Sequence, residues 1–188
     1  MNDAWQRISS SFERQGLMAT LGAELELVKE GEVHIALPFS RHLSQHHGFV
    51  HAGAITSIVD SACGYAALTQ APAGCEVVTA EFKINLMRPA LGERFLAIGK
   101  VQSAGKLLTV CTGEVRAYAG TPGTHKLVAL MQATIVNVVA VTASPISRVP
   151  SRAASRWCLP IAWWRTMFSR TTIASSIKIG RASCRERV

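Results

Sequence analysis

Two runs of alternating apolar and polar residues, Glu24–Val28 and Glu32–Leu37, flank a Glu-Gly turn and predict a hairpin with one buried face. Upstream, Trp5–Gln15 has the spacing of a short amphipathic helix, and a polar loop spans Ser40–Gly48. From Ala52 the character changes. Eighteen residues carry a single charge, Asp60, and predict a helix from about Ala52 to Leu68 that is apolar around its whole circumference, closed by Pro72 and Gly74. Four more strand-like runs follow, Val77–Met87, Phe95–Ser103, Leu107–Tyr118 and Leu127–Val138, separated by the turn-forming stretches RPALGE, SAGK and AGTPGTH. Six strands beside one helix apolar on every side imply a mostly antiparallel sheet wrapped around a long buried central helix. The expected class is α+β, with a short additional helix at the N-terminus.

The 188 residues are enough for one well-buried domain and too few for two ordinary ones. The formal charge of +8 would point to nucleic acid or an acidic membrane, but its distribution argues otherwise. Residues 1–140 hold 11 Lys and Arg against 11 Asp and Glu, whereas residues 141–188 hold 9 against 1. A nucleic-acid surface would be interleaved with the fold, so neither nucleic acid nor membrane is expected as a partner. The basic segment 141–188 lacks periodicity, is rich in Arg and Ser, and carries 3 of the 4 tryptophans. Its last ten residues, IGRASCRERV, read as the translation of a sequencing adapter. The expectation is a domain over 1–140 followed by an assembly artefact after a frameshift near Val141, with a disordered basic tail as the alternative. Five widely spaced cysteines without a C-x-x-C pair suit a reducing compartment, and the charged N-terminus lacks the apolar run of a signal peptide. A cytoplasmic location is expected.

Asp60 is the residue that asks for an explanation, because an unpaired carboxylate in an apolar helix is costly. Neighbouring hydroxyls of Thr56, Ser57 and Ser61 would satisfy it in the plainest reading. A general base or nucleophile in a desolvated cleft is the functional one, since burial raises carboxylate basicity. A metal site would need His46, His47 and His51, whose H-H-x-x-x-H spacing is not that of a zinc site. A serine nucleophile would need a G-x-S-x-G elbow, which is missing around Ser57 and Ser61. Of the histidines, His46 and His47 belong to the polar loop, His47 helping to shape the turn at Gly48, and His51 immediately precedes the helix. Amides in the first turn of a helix lack intrahelical partners, so Ala52 and Gly53, nearly without side chains, form a place where an oxyanion can be held. Ala52 and Asp60 are eight residues apart, roughly 12 Å along a helix, so one carbonyl cannot touch both. If both act, they come from antiparallel helices of two copies.

The segments HGFVHAGAITSIVDSACGYAA, TAEFKINLMRPALGE and ALMQATIVNV resemble the hotdog-fold thioesterases of the PaaI-like group, nearest the YigI-type medium/long-chain acyl-CoA thioesterases, over roughly Ala4–Val138. The shared signature is an amide side chain, then G-x-x-H-G/A-G, then an acidic residue nine positions after the histidine: Gln45, Gly48, His51, Ala52, Gly53 and Asp60. The resemblance implies two copies paired edge to edge, as a homodimer or a dimer of dimers, with sites at their interface. It implies hydrolysis of an acyl-CoA, with medium or long aliphatic or aromatic acyl groups. Asp60 would be base or nucleophile, the Ala52 amide would polarise the thioester carbonyl, Gln45 would position carbonyl or water, and His51 would orient the loop and the start of the helix. Gly48 and Gly53 would let the substrate approach.

Many relatives have Asn in place of Gln45 and Gly in place of Ala52; the amide group and the backbone N–H survive both changes. Where some relatives carry a serine near the end of the third strand, this chain has Arg88, assigned to coenzyme A phosphates or else to a surface turn before Pro89. Gly105 and Lys106 occupy the hairpin where relatives meet the nucleotide end of coenzyme A, with an ordinary tight turn as the alternative. No metal and no cofactor is implied, coenzyme A being part of the substrate. Two other classes share the fold. An enoyl-thioester hydratase would want a D-x-N-P-x-H segment, which the chain lacks, and a non-catalytic acyl-CoA-binding domain would not need Asp60.

Overall fold

The computed structural model describes residues 3–120 and 123–139, and the segment read as a basic tail, 141–188, lies outside the described residues. The chain runs α1 (Asp3–Phe12), α2 (Gly16–Leu21), β1 (Glu24–Lys29), β2 (Glu32–Pro38), a single 3-10 turn (Arg41–Leu43), α3 (Ala52–Gln70), β3 (Cys75–Leu86), β4 (Arg94–Ala104), β5 (Leu108–Tyr118) and β6 (His125–Val139). Among the described residues, the six strands join one antiparallel sheet in the order β1-β2-β4-β5-β6-β3. The crossing of β3 to the far edge puts α3 in the concavity, because the chain leaves β2 on one side of the sheet and re-enters on the other. This is the hotdog arrangement.

Period-2 alternation is clearest in β5, where Cys111, Val115 and Ala117 are buried while Thr112, Glu114 and Arg116 face away from the helix. The core is made by that inner face together with Ile55, Ile58, Val59, Ala62, Cys63, Ala66 and Ala67 of α3. Gly99 of β4 and Gly113 of β5 are directly opposite each other in the ladder, and both lie under α3. A Cβ at Gly99 would stand 2.3 Å from the Ala62 carbonyl carbon, and one at Gly113 would stand 2.5 Å from Val59 Cγ2. Two adjacent glycines thus let the helix backbone settle onto the sheet, within one turn of Asp60.

Two expectations are corrected. The N-terminal helix expected over Trp5–Gln15 is α1 and already ends at Phe12; Gln15 takes an extended conformation (φ −79°, ψ 100°), and a second helix that was not expected, α2, follows and ends at the left-handed Gly22 (φ 68°). The break has a cause in Gln15, whose amide donates to the Tyr65 hydroxyl of α3 at 2.9 Å and turns the chain toward the central helix. Nor is α3 buried all round. Ala52 and Gly53 are exposed, and Thr56, Ser57, Asp60, Ser61 and Gly64 are only partly covered, at a spacing that puts them on one face of the helix. The sheet wraps the other faces and leaves this small and polar stripe open.

Candidate active site

The loop before α3 is pinned at both ends. The Val50 N–H donates to Ala90 O at 3.1 Å and the His51 N–H to Leu43 O at 2.7 Å. Inside the loop, Gly48 adopts φ 84°, its N–H donates to Gln45 O at 2.9 Å, and the His47 N–H donates to the Gln45 side-chain oxygen at 2.7 Å. Gln45 therefore holds the turn with Oε1. A left-handed residue at position 48 needs glycine, which explains that residue without any contact to substrate.

At the start of α3, His51 is the N-cap, and its Nδ1 accepts from the Gly53 N–H at 2.9 Å. The His51 carbonyl accepts from Ala54 and Ile55 at 3.0 and 3.3 Å. Three of the four first-turn donors are thereby used. The Ala52 N–H has no acceptor among the described residues. Capping selects one donor, and it sits on the wall of a cavity of about 740 Å³ shared with Gln45, His51, Arg88, Leu86 and Met87. The helix dipole favours negative charge at that amide.

Asp60 faces a different and smaller cavity, about 140 Å³, with Ser61, Gly64, Tyr65, Glu76 and Thr79 in its walls. The local-hydroxyl explanation fails, since Thr56 and Ser57 donate back to the carbonyls of Ala52 and Gly53 at 2.8 Å, and Ser61 donates to Gln15 Oε1 at 3.4 Å. The partner of the carboxylate is Thr79, whose hydroxyl donates to Asp60 Oδ1 at 2.9 Å. Burial pushes the Asp60 pKa above its ordinary value, and the Thr79 hydrogen bond offsets part of that rise. The result is a carboxylate of enhanced basicity with one oxygen held and the other without a partner among the described residues.

Thr79 was not among the residues expected from sequence. It lies where the β3–β6 register slips, between Thr79 and Glu81, and is opposite buried Ile135 on the inner face. The only signal was its place in a period-2 run, one Thr among Val77, Thr79 and their neighbours.

The remaining expected residues divide. Gln45, His51, Ala52 and Arg88 come together around the larger cavity, and the Arg88 guanidinium donates to Leu127 O at 2.8 Å while staying exposed. Gly48 and Gly53 shape the loop and the cap without lining that cavity. Gly105 and Lys106 line neither cavity; they form a tight turn in which the Gly105 N–H donates to Leu108 O at 2.8 Å and Asn137 Nδ2 donates to both their carbonyls at 3.3 and 3.2 Å. Among the described residues no group of three or more His, Cys, Asp or Glu is placed to hold a metal ion.

Residues 47–123 match the thioesterase superfamily. A solved thioesterase family protein from Silicibacter pomeroyi is 40% identical, with a TM-score of 0.70, the match covering 73% of this chain and 99% of that one. An esterase-named relative from Halobacterium salinarum is 30% identical over 97 residues, 49% of this chain, and the chain spans 64% of that relative's length. The acyl-coenzyme A thioesterase PaaI of Escherichia coli is 26% identical over 104 residues, covering 55% of this chain and 72% of PaaI. With these likenesses laid over a central helix wrapped by six antiparallel strands, the chain belongs to the thioesterase superfamily, among its PaaI-like hotdog members.

Proposed function

We propose that the protein is an acyl-CoA thioesterase that works as a dimer, each site combining the Ala52 amide of one copy with Asp60 of the other. The observation that carries this reading is the division of labour along α3. One end leaves a single uncapped N–H in a roomy cavity, and two turns later a half-buried, basic carboxylate opens onto a separate one. At about 1.5 Å per residue these groups are roughly 12 Å apart, beyond the span of one reacting carbonyl. A second copy running antiparallel closes that gap.

A surface suited to such pairing is present. β3 forms one end of the sheet, is 12 residues long, and leaves Val78, Phe82 and Leu86 exposed at 55%, 44% and 52%. A long apolar edge strand is a template for pairing with another chain. In the reaction, the thioester carbonyl oxygen accepts from Ala52 N–H as negative charge develops on it. Asp60 takes a proton from water as the water oxygen bonds to the carbonyl carbon, or attacks that carbon itself to give an anhydride that water then opens. The carbon–sulfur bond breaks, the acid departs, and coenzyme A leaves as the thiol. The likeness to PaaI supports coenzyme A as the carrier.

The test is thiol release by the full chain across a panel of aliphatic and aromatic acyl-CoAs, together with Asp60→Asn. Release that disappears in the folded variant is the expected result. Thiol release at near-unaltered rate in Asp60→Asn would remove Asp60 from the chemistry, and tight acyl-CoA binding without release would make the protein a binding domain.

A further inference from the structure

The two cavities differ in the sign of their ionisable walls. Among the described residues, the larger is lined by Arg88, His46, His47 and His51 and by no carboxylate, and the smaller by Asp60 and Glu76 and by no basic residue. A thioester of coenzyme A carries several negative charges at the far end of its pantetheine arm. Phosphates are repelled from a cleft walled by two acids, so the arm enters through the larger cavity.

Within that wall, His46 and His47 have no part in the cap or the turn beyond the His47 backbone N–H. Their rings lie 3.9 Å apart, centroid to centroid, tilted by 45°. Both residues are exposed, and neither ring has a hydrogen-bond or ion-pair partner among the described residues. The loop that carries them is held by the Gln45 side chain, the left-handed Gly48 and the flanking ties to Leu43 and Ala90. Two unpartnered imidazoles on a braced loop, with a guanidinium on the same cavity, form a donor set for phosphate oxygens, because each imidazole retains an N–H donor in either protonation state.

We propose that His46 and His47 together recognise phosphate on the pantetheine carrier of the thioester and so select phosphate-bearing carriers over bare pantetheine. This rests on the thioesterase reading and names what its site selects. Two sources share the chemistry: the 4′-phosphate, common to coenzyme A and to carrier-protein arms, and the nucleotide phosphates of coenzyme A.

The experiment uses the full chain and His46→Ala/His47→Ala, with one acyl group presented on coenzyme A, on 4′-phosphopantetheine and on pantetheine. The ratio of kcat/KM on coenzyme A to that on pantetheine is expected to fall roughly fivefold in the double variant, through KM, and the fall should shrink as salt is raised. His46→Lys/His47→Lys, which puts N–H donors back at both positions, should hold or raise the ratio. A fall shared by the 4′-phosphopantetheine substrate assigns the pair to the 4′-phosphate, and a fall confined to coenzyme A assigns it to the nucleotide end; either supports the proposal. An unchanged ratio, or an equal loss on bare pantetheine, overturns it. Absence of thiol release from all three by the unaltered chain overturns the thioesterase reading, and this one with it.

Discussion

The Thr79 hydroxyl donates to Asp60 Oδ1 across 2.9 Å, from a strand edge to the open stripe of the central helix. That bond and burial oppose each other in setting the carboxylate's proton affinity, and burial is the larger. In the proposed reaction Asp60 acts in its ionised form, so the acid limb of the kcat/KM profile is expected above the ordinary carboxylate range. Thr79→Val removes the opposing influence and should move that limb to higher pH, while Thr79→Ser should return it. A limb that does not move in Thr79→Val would show that the hydroxyl does not tune Asp60.

The same shift has a stability consequence of definite sign. Asp60 binds its proton more tightly in the folded chain than in the unfolded one, so its favourable contribution is full below the unfolded carboxylate pKa and is lost as pH rises through the raised folded value. Above that raised value the fold carries a partly covered charge it would be more stable without. Asp60→Asn is therefore expected to raise the melting temperature at pH 7 and to raise it less at pH 4. Equal changes at the two pH values would contradict the linkage.

Ala52→Pro isolates the backbone amide. The position is the first of α3, where proline's missing N–H is tolerated, and His51 already has the extended conformation (φ −62°, ψ 138°) that a following proline requires. Thermal melting should change little while thiol release falls by about 10²–10³, the usual effect of losing one oxyanion donor. Full activity in the folded variant would exclude the Ala52 N–H from the reaction.

The composite site predicts complementation. Ala52→Pro and Asp60→Asn chains are each expected to be nearly inactive alone, and in a heterodimer one of the two proposed sites would regain both groups. Co-refolding equal amounts should restore about a quarter of the unaltered activity, given random pairing in a two-fold dimer. No recovery, with heterodimers demonstrated by mass spectrometry, would place both groups in one chain.

His51→Ala should lower stability by about 1 kcal/mol through loss of the cap, measured by urea unfolding, and His51→Asn should recover most of it because Asn is a good N-cap. Gly113→Ala probes the close approach of helix to sheet. Its Cβ would press on Val59 Cγ2 at 2.5 Å and Cys63 Sγ at 2.8 Å, and the expected cost is about 1–3 kcal/mol in urea unfolding, with a loss of activity as Asp60 shifts with its helix. A neutral result would mean that α3 yields freely there.

What could be read along the chain was what is local. Period-2 alternation and turn residues set out the strands to within two residues at nearly every boundary, because a strand buried on one face writes that burial into its own sequence. Asp60 stood out for the same reason, as one charge among eighteen residues, and its distance from Ala52 followed from the rise of a helix alone. The partners of these groups were decided in three dimensions. Thr79 reaches Asp60 across nineteen positions because β3 crosses to the far edge of the sheet. Gly99 and Gly113 matter only because they meet in the ladder beneath α3. Among the described residues, the Ala52 amide stands alone as a free donor because the His51 ring folds back onto Gly53 and takes up the neighbouring one. Periodicity records which face of an element is buried, and it carries no record of which residue from elsewhere lies against that face. The tertiary structure supplied those neighbours, and with them the division of α3 into a donor end and an acid at its middle.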